Sequence, residues 1–197
     1  MKLHTLLIAV WFFILAPPPS FGSADRNQVH LDSIRADFVQ EKHLKILVRP
    51  LISTGIFAFQ APRSLRWEYL TPVPSIMLMH NGKLSKYTKI DGQFTKQRGM
   101  GLDSMQFMLG EISNWLDGRF AENEMFVASF PDEQTILLKP KDQTLAGLIS
   151  KIELKLADQR GILDTITIFE GTDSYTRMTF SNTVINKNIP ASFFTQK

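Results

Sequence analysis

Over most of the chain, apolar residues fall in short strand-like runs, in which successive side chains point to opposite faces. The clearest runs are Leu51 to Gln60, Ser64 to Leu70 and Ser75 to His80, broken by Ala61-Pro62 and Thr71-Pro72. In the second run Leu65, Trp67 and Tyr69 share one face and Arg66 and Glu68 the other. Asn81-Gly82 and Asp91-Gly92 follow, each between strand-like runs, and both dipeptides predict tight type I′ hairpin turns. Between Gly101 and Gly118 the period lengthens. Leu102, Met105, Leu109, Ile112 and Leu116 recur at spacings of three and four, which predicts an amphipathic helix capped by Asp117-Gly118.

Strands then resume. Met125 to Phe130 and Gln134 to Lys139 flank Pro131-Asp132, and Ile149 to Ala157 meets Ile162 to Glu170 across Gln159-Arg160-Gly161. Tyr175 to Ser181 follows Gly171-Thr172-Asp173, and a short strand is expected at Ala191 to Phe194. The segment before Leu51 reads two ways. Asp25 caps a possible helix carrying Leu31, Ile34 and Phe38, while Ile34, Ala36, Phe38, Gln40 and Lys42 alternate as a strand. The switch is placed between Arg35 and Asp37.

Several of these strands carry apolar side chains on both parities, so both of their faces need cover. Two short helices cannot cover both faces of roughly ten strands. The expected fold is therefore mainly β with a few helices: an incomplete, half-open antiparallel β-barrel, with the middle helix as a lid over a hydrophobic cavity.

Composition adds a destination. The chain has 197 residues, 44% hydrophobic and 21% charged, an ordinary globular balance. Its start is different: Lys2, an apolar run from Leu6 to Ala16, three prolines, then Ser20-Phe21-Gly22-Ser23-Ala24. This is the layout of a cleaved secretory signal peptide, and the apolar run is too short to span a bilayer. Cleavage after Gly22 or Ala24 fits, and Ala24 is taken as the boundary, leaving 25–197 as one domain. Cysteine is absent, so the chain has no disulfide or thiolate chemistry, which suits a bacterial periplasm. Lysines and arginines form no long run, so nothing points to nucleic acid.

Enzyme signatures are sparse. His30, His43 and His80 lack metal-ligand spacing, and the carboxylates Glu68, Asp91 and Asp164 stand singly. Gly101-Leu102-Asp103-Ser104-Met105 lacks the last glycine of a nucleophile elbow. No phosphate loop occurs, and no catalytic residue, metal or cofactor is expected. The apolar side is richer. Met77, Met79, Met100, Met105 and Met108 cluster beside the wide-faced helix, and adaptable thioethers suit either core filling or a cavity for variable ligands.

An ordered set of short motifs resembles the periplasmic outer-membrane lipoprotein carrier family, LolA. It comprises Phe38-Val39-Gln40, Gly55 with Phe57 and Phe59, Pro62, Leu65, Arg66-Trp67-Glu68 and Pro72. It continues through Gly82-Lys83, Tyr87, Phe107-Met108-Leu109 and Leu138-Lys139-Pro140. The resemblance implies a monomeric, non-enzymatic carrier in the periplasm of a Gram-negative bacterium. It would take lipidated cargo, a lipoprotein or another acylated lipid, from an inner-membrane ABC-type releasing complex or other exporter. Delivery would be to an outer-membrane receptor lipoprotein. Phe57, Phe59, Leu65, Trp67 and Met79 would line the cavity; Leu102, Met105, Phe107, Met108, Leu109 and Ile112 would form the lid. The arginine that typically latches the lid is replaced by Ala61, with Arg63 as a possible substitute, and Ser85-Lys86 stands where an aromatic is usual. Those departures bear on which cargo is carried: lipoprotein, glycolipid or another acyl product. A lipid-sensing regulatory module of envelope signalling is the alternative use of the same fold.

Overall fold

The computed structural model describes residues 31–62, 64–81, 83–97, 115, 119–120, 125–157 and 162–197. The expected signal peptide, the helix expected from Asp25, Arg63, and the residues expected to form a lid, Leu102, Met105, Phe107, Met108, Leu109 and Ile112, lie outside the described residues. Of the predicted middle helix, Trp115 is described; it is helical and buried.

Eleven strands form one antiparallel sheet: β1 (Ser33–His43), β2 (Leu51–Gln60), β3 (Ser64–Thr71), β4 (Ser75–His80), β5 (Lys83–Ile90) and β6 (Gln93–Gln97). After the middle segment come β7 (Phe126–Ser129), β8 (Thr135–Pro140), β9 (Lys151–Leu156), β10 (Leu163–Glu170) and β11 (Ser174–Ile185). Their spatial order is β6-β5-β4-β3-β2-β1-β11-β10-β9-β8-β7. Two meanders therefore meet along a seam between β1 and β11, and the sheet does not close into a barrel.

The ambiguous first segment is a strand from Ser33 onward, not a helix as far as Arg35. Ile34 and Phe38 satisfy either period, and pairing decides between them. Ile34 sits opposite both Phe59 and Ile185, and Phe38 opposite both Gly55 and Phe180, so backbone ladders on two sides replace helical hydrogen bonds. The hairpins form as read: Asn81 and Asp91 both adopt φ of 50°, the left-handed region these side chains tolerate.

Three other elements differ from expectation. β11 continues past Ser181 because Asn182, at φ 52°, takes up the extra residue of a bulge opposite Arg35 to Asp37, and its amide donates to Asp37 Oδ2 at 2.8 Å. Residues Gln143–Ala146 make one helical turn, α1, whose Asp142 carboxylate accepts from the Thr144 and Leu145 N–H groups. Ala191–Phe194 is a 3₁₀ turn rather than a strand, and it is this turn that covers part of the second face.

Register separates the two faces. Ile34, Phe38, Phe57, Phe59, Leu65, Trp67, Met77 and Met79 point inward and belong to one buried cluster with Ile136, Ile152, Leu154 and Ile166 of the other meander. Ala58, Arg66, Ile76 and Leu78 have the opposite parity yet are also buried. The 3₁₀ turn packs on β3 and β4 there, with Phe194 buried. Arg66 holds it: Nη1 donates to the carbonyls of Phe193 (2.9 Å) and Gln196 (2.7 Å), and Nε pairs with Glu68 Oε2 at 2.8 Å. The guanidinium also lies 4.9 Å from the Phe193 ring centre, with Arg35 at 5.2 Å and Lys197 reaching the Tyr87 ring at 4.5 Å. The C-terminal tail thus crosses the outer face from β1 to β5 as a strap.

Candidate functional site

The inner face carries the candidate site. Trp67 on β3 and Ile166 on β10 lie four strand spacings apart, about 19 Å in a flat sheet. Both nevertheless line one pocket, together with Ile34, Ala36, Phe57, Leu163, Phe180 and Thr183, so the sheet curls across its seam. The surface that these residues present to the pocket is apolar. Its sheltered volume is about 10 Å³, the scale of one water molecule. An acyl chain is far larger, so entry requires the lining side chains to part.

Aromatic rings build the wall. Phe57 meets Trp67 edge-on at 5.5 Å and Phe180 at 6.0 Å, while Phe38 meets Trp67 at 5.7 Å and Tyr69 at 5.2 Å. Gly55 makes the last pair possible. A Cβ there would collide with the Phe38 ring and with the Glu68 carbonyl oxygen.

Toward the end of β1 the inner face turns polar. The Tyr69 hydroxyl donates to Gln40 Oε1 at 2.8 Å, Lys42 pairs with Glu170 at 3.3 Å, and Thr176 donates to the same carboxylate at 3.1 Å. Burial pushes the Tyr69 phenol above its usual value, against a smaller opposing pull from the Trp67 indole. The Trp67 indole N–H is buried without a hydrogen bond to any acceptor among the described residues. The face therefore grades from an apolar floor to a polar ledge.

All five residues expected in a cavity lie on this face. Phe57 and Trp67 line the pocket; Phe59, Leu65 and Met79 sit in the core cluster beside it. The expectation missed the far wall, Leu163, Ile166 and Phe180: Leu163 and Ile166 lie three positions apart across a register shift that alternation does not show, and their partner strand was not visible. It also missed Gln40 and Tyr69 as a pair. Ala61, at the latch position, donates its backbone N–H to the Asp32 carbonyl at 2.9 Å and packs against the core. No group of three His, Cys, Asp or Glu side chains among the described residues is placed to hold a metal, and no described helix is long and apolar enough to cross a membrane.

The fold also resembles solved structures at low identity. A LolA superfamily protein from Nitrosomonas europaea aligns with a TM-score of 0.41 and 10% identity, over 88% of this chain and 94% of that one. The Mycobacterium tuberculosis lipoprotein LppX aligns with a TM-score of 0.41 and 14% identity, over 81% and 89%. The MucA/MucB complex of Pseudomonas aeruginosa aligns with a TM-score of 0.40 and 12% identity, over 82% of this chain and 54% of that one. No curated protein matches the sequence. A family model described as outer membrane lipoprotein carrier protein LolA matches residues 29–197, most of the chain. The chain belongs to the LolA family.

Proposed function

We propose that this protein is a periplasmic carrier that holds the acyl chains of a lipoprotein or another lipidated molecule against the inner face of its sheet and ferries them between the inner and outer membranes. The observation that carries the reading is the graded inner face: an apolar pocket walled by both meanders, bordered by the ledge of Gln40, Tyr69, Lys42, Glu170 and Thr176. Burying acyl methylenes is worth about 0.8 kcal/mol each, so one chain of ~15 methylenes needs roughly 12 kcal/mol of shelter to leave a membrane. An apolar groove meets that need, and a polar rim suits the ester, amide or headgroup end of the cargo.

In this reading no bond is made or broken. Cargo moves along a relay of affinities, from an ABC-type releasing complex or other exporter to an outer-membrane receptor lipoprotein, and the groove switches between closed and parted states. Residues 1–24 direct export and 25–197 form the carrier. The lid is assigned to Leu102, Met105, Phe107, Met108, Leu109 and Ile112, with Arg63 as its latch.

Phe57 is too deeply packed for a charge to leave the fold intact, so the test uses Phe180, a half-buried member of the wall. Phe180→Glu is expected to keep the unfolding midpoint close to the wild-type value and to abolish lipid co-purification, read by native mass spectrometry. Equal lipid on both proteins would refute the carrier reading. A stoichiometric membrane-protein partner with no lipid on the wild type would favour the regulatory one.

A further inference from the structure

One end of the sheet is greasy on its outside. β1 finishes and β2 begins there, as do the β3–β4 and β5–β6 connections, because antiparallel neighbours reverse direction. Ile46, Leu47, Val48, Leu51, Ile52 and Val73 are all exposed at this end, Val48 fully and Ile46 at 86%. Such side chains are expected singly on a soluble surface, not gathered on adjoining hairpin tips.

Two observations identify what would cover them. The first is direction. Leu51 continues the inner face of β2 and Ile52 the outer face, and the loop between β1 and β2 projects beyond both. A protein partner packed on one face would leave the other wet, whereas a bilayer interface surrounds a tip from every side. The second is charge. The loop 44–50 contains Lys45 and Arg49 and no carboxylate. Lys45 pairs with Asp173 at 2.7 Å, Lys42 with Glu170, and Asp142 caps α1. Exposed Arg49 and Lys89 have no ion-pair partner among the described residues, although Asp91 lies beside the latter. Apolar tips flanked by the exposed cations Arg49 and Lys89 match an anionic phospholipid surface, where the tips enter the acyl boundary and the cations meet headgroup phosphates.

We propose that the loop 44–50, with the neighbouring β3–β4 turn, is a tip that docks on anionic phospholipid bilayers and brings the polar-ledge end of the groove to the membrane. This assignment is separate from what the groove holds. It is tested by co-sedimentation of the full chain, expressed from Met1 and purified as the cell leaves it, with phosphatidylglycerol–phosphatidylethanolamine vesicles and with phosphatidylcholine vesicles. The wild type is expected to bind the anionic vesicles, and Ile46→Asp with Val48→Asp to bind them at least about tenfold more weakly with an unchanged unfolding midpoint. Arg49→Gln and Lys89→Gln should each cost about fivefold on anionic vesicles and nothing on neutral ones. A wild type that stays in the supernatant, or an aspartate variant that binds as well as wild type, overturns the proposal. So does a photoreactive residue at position 48 that crosslinks to a protein instead of to lipid in cells.

Discussion

Gly55 shows how one absent side chain shapes the site. Its vacant Cβ position is filled by the Phe38 ring, which in turn braces Trp67 and Tyr69. Gly55→Ala forces a methyl group against that ring and against a backbone carbonyl that has little room to yield. The expected cost is about 2–3 kcal/mol, read as a lower urea midpoint with an unchanged slope. At this scale the sequence was legible wherever alternation alone decides a direction. Alternation put Leu65, Trp67 and Tyr69 on one face, and register adds Phe57, Phe59 and Met79 to it. It was silent about Gln40 and Tyr69, which stand 29 positions apart and meet only once β1, β2 and β3 are in register.

Among the elements, the hairpin turns were readable because asparagine–glycine and aspartate–glycine state a backbone conformation locally. The strap was not. Ala191 to Phe194 has no periodicity to betray a covering role, and its partners, Arg66 and strand β4, lie more than a hundred positions earlier. The apolar second parity of β4 was a visible demand for cover, but nothing in the sequence named the supplier. Arg66 is the strap's main fastening, and its loss would also strand the half-buried Glu68 carboxylate. Arg66→Met is expected to lower stability by about 2–3 kcal/mol and to make the last residues a substrate for carboxypeptidase. A variant with a wild-type midpoint and an uncut tail would show that Phe194 alone suffices.

For the molecule as a whole, the seam between β1 and β11 joins two meanders that each consist of local hairpins. Asp32 and Asn186 meet across 154 positions, and the far wall of the pocket exists only because of that meeting. This is why the far wall escaped the sequence: each strand of it was recognisable, but the neighbour that folds it over the groove was not. A chain ending at Glu170 retains ten of the eleven strands and loses the seam. It is expected to show no cooperative thermal transition by circular dichroism, whereas the full chain shows one. Cooperative melting of the shortened chain would mean that the first meander folds alone.

The same seam sets a clock on synthesis. The first strand of the sheet leaves the ribosome with one of its two neighbours still unmade, and roughly 8–30 s pass, at 5–20 residues per second, before the other emerges. Through that interval the longest-range pairing of the fold is unavailable, so the growing chain remains threadable, the condition a protein must keep if it is to leave the compartment where it is made.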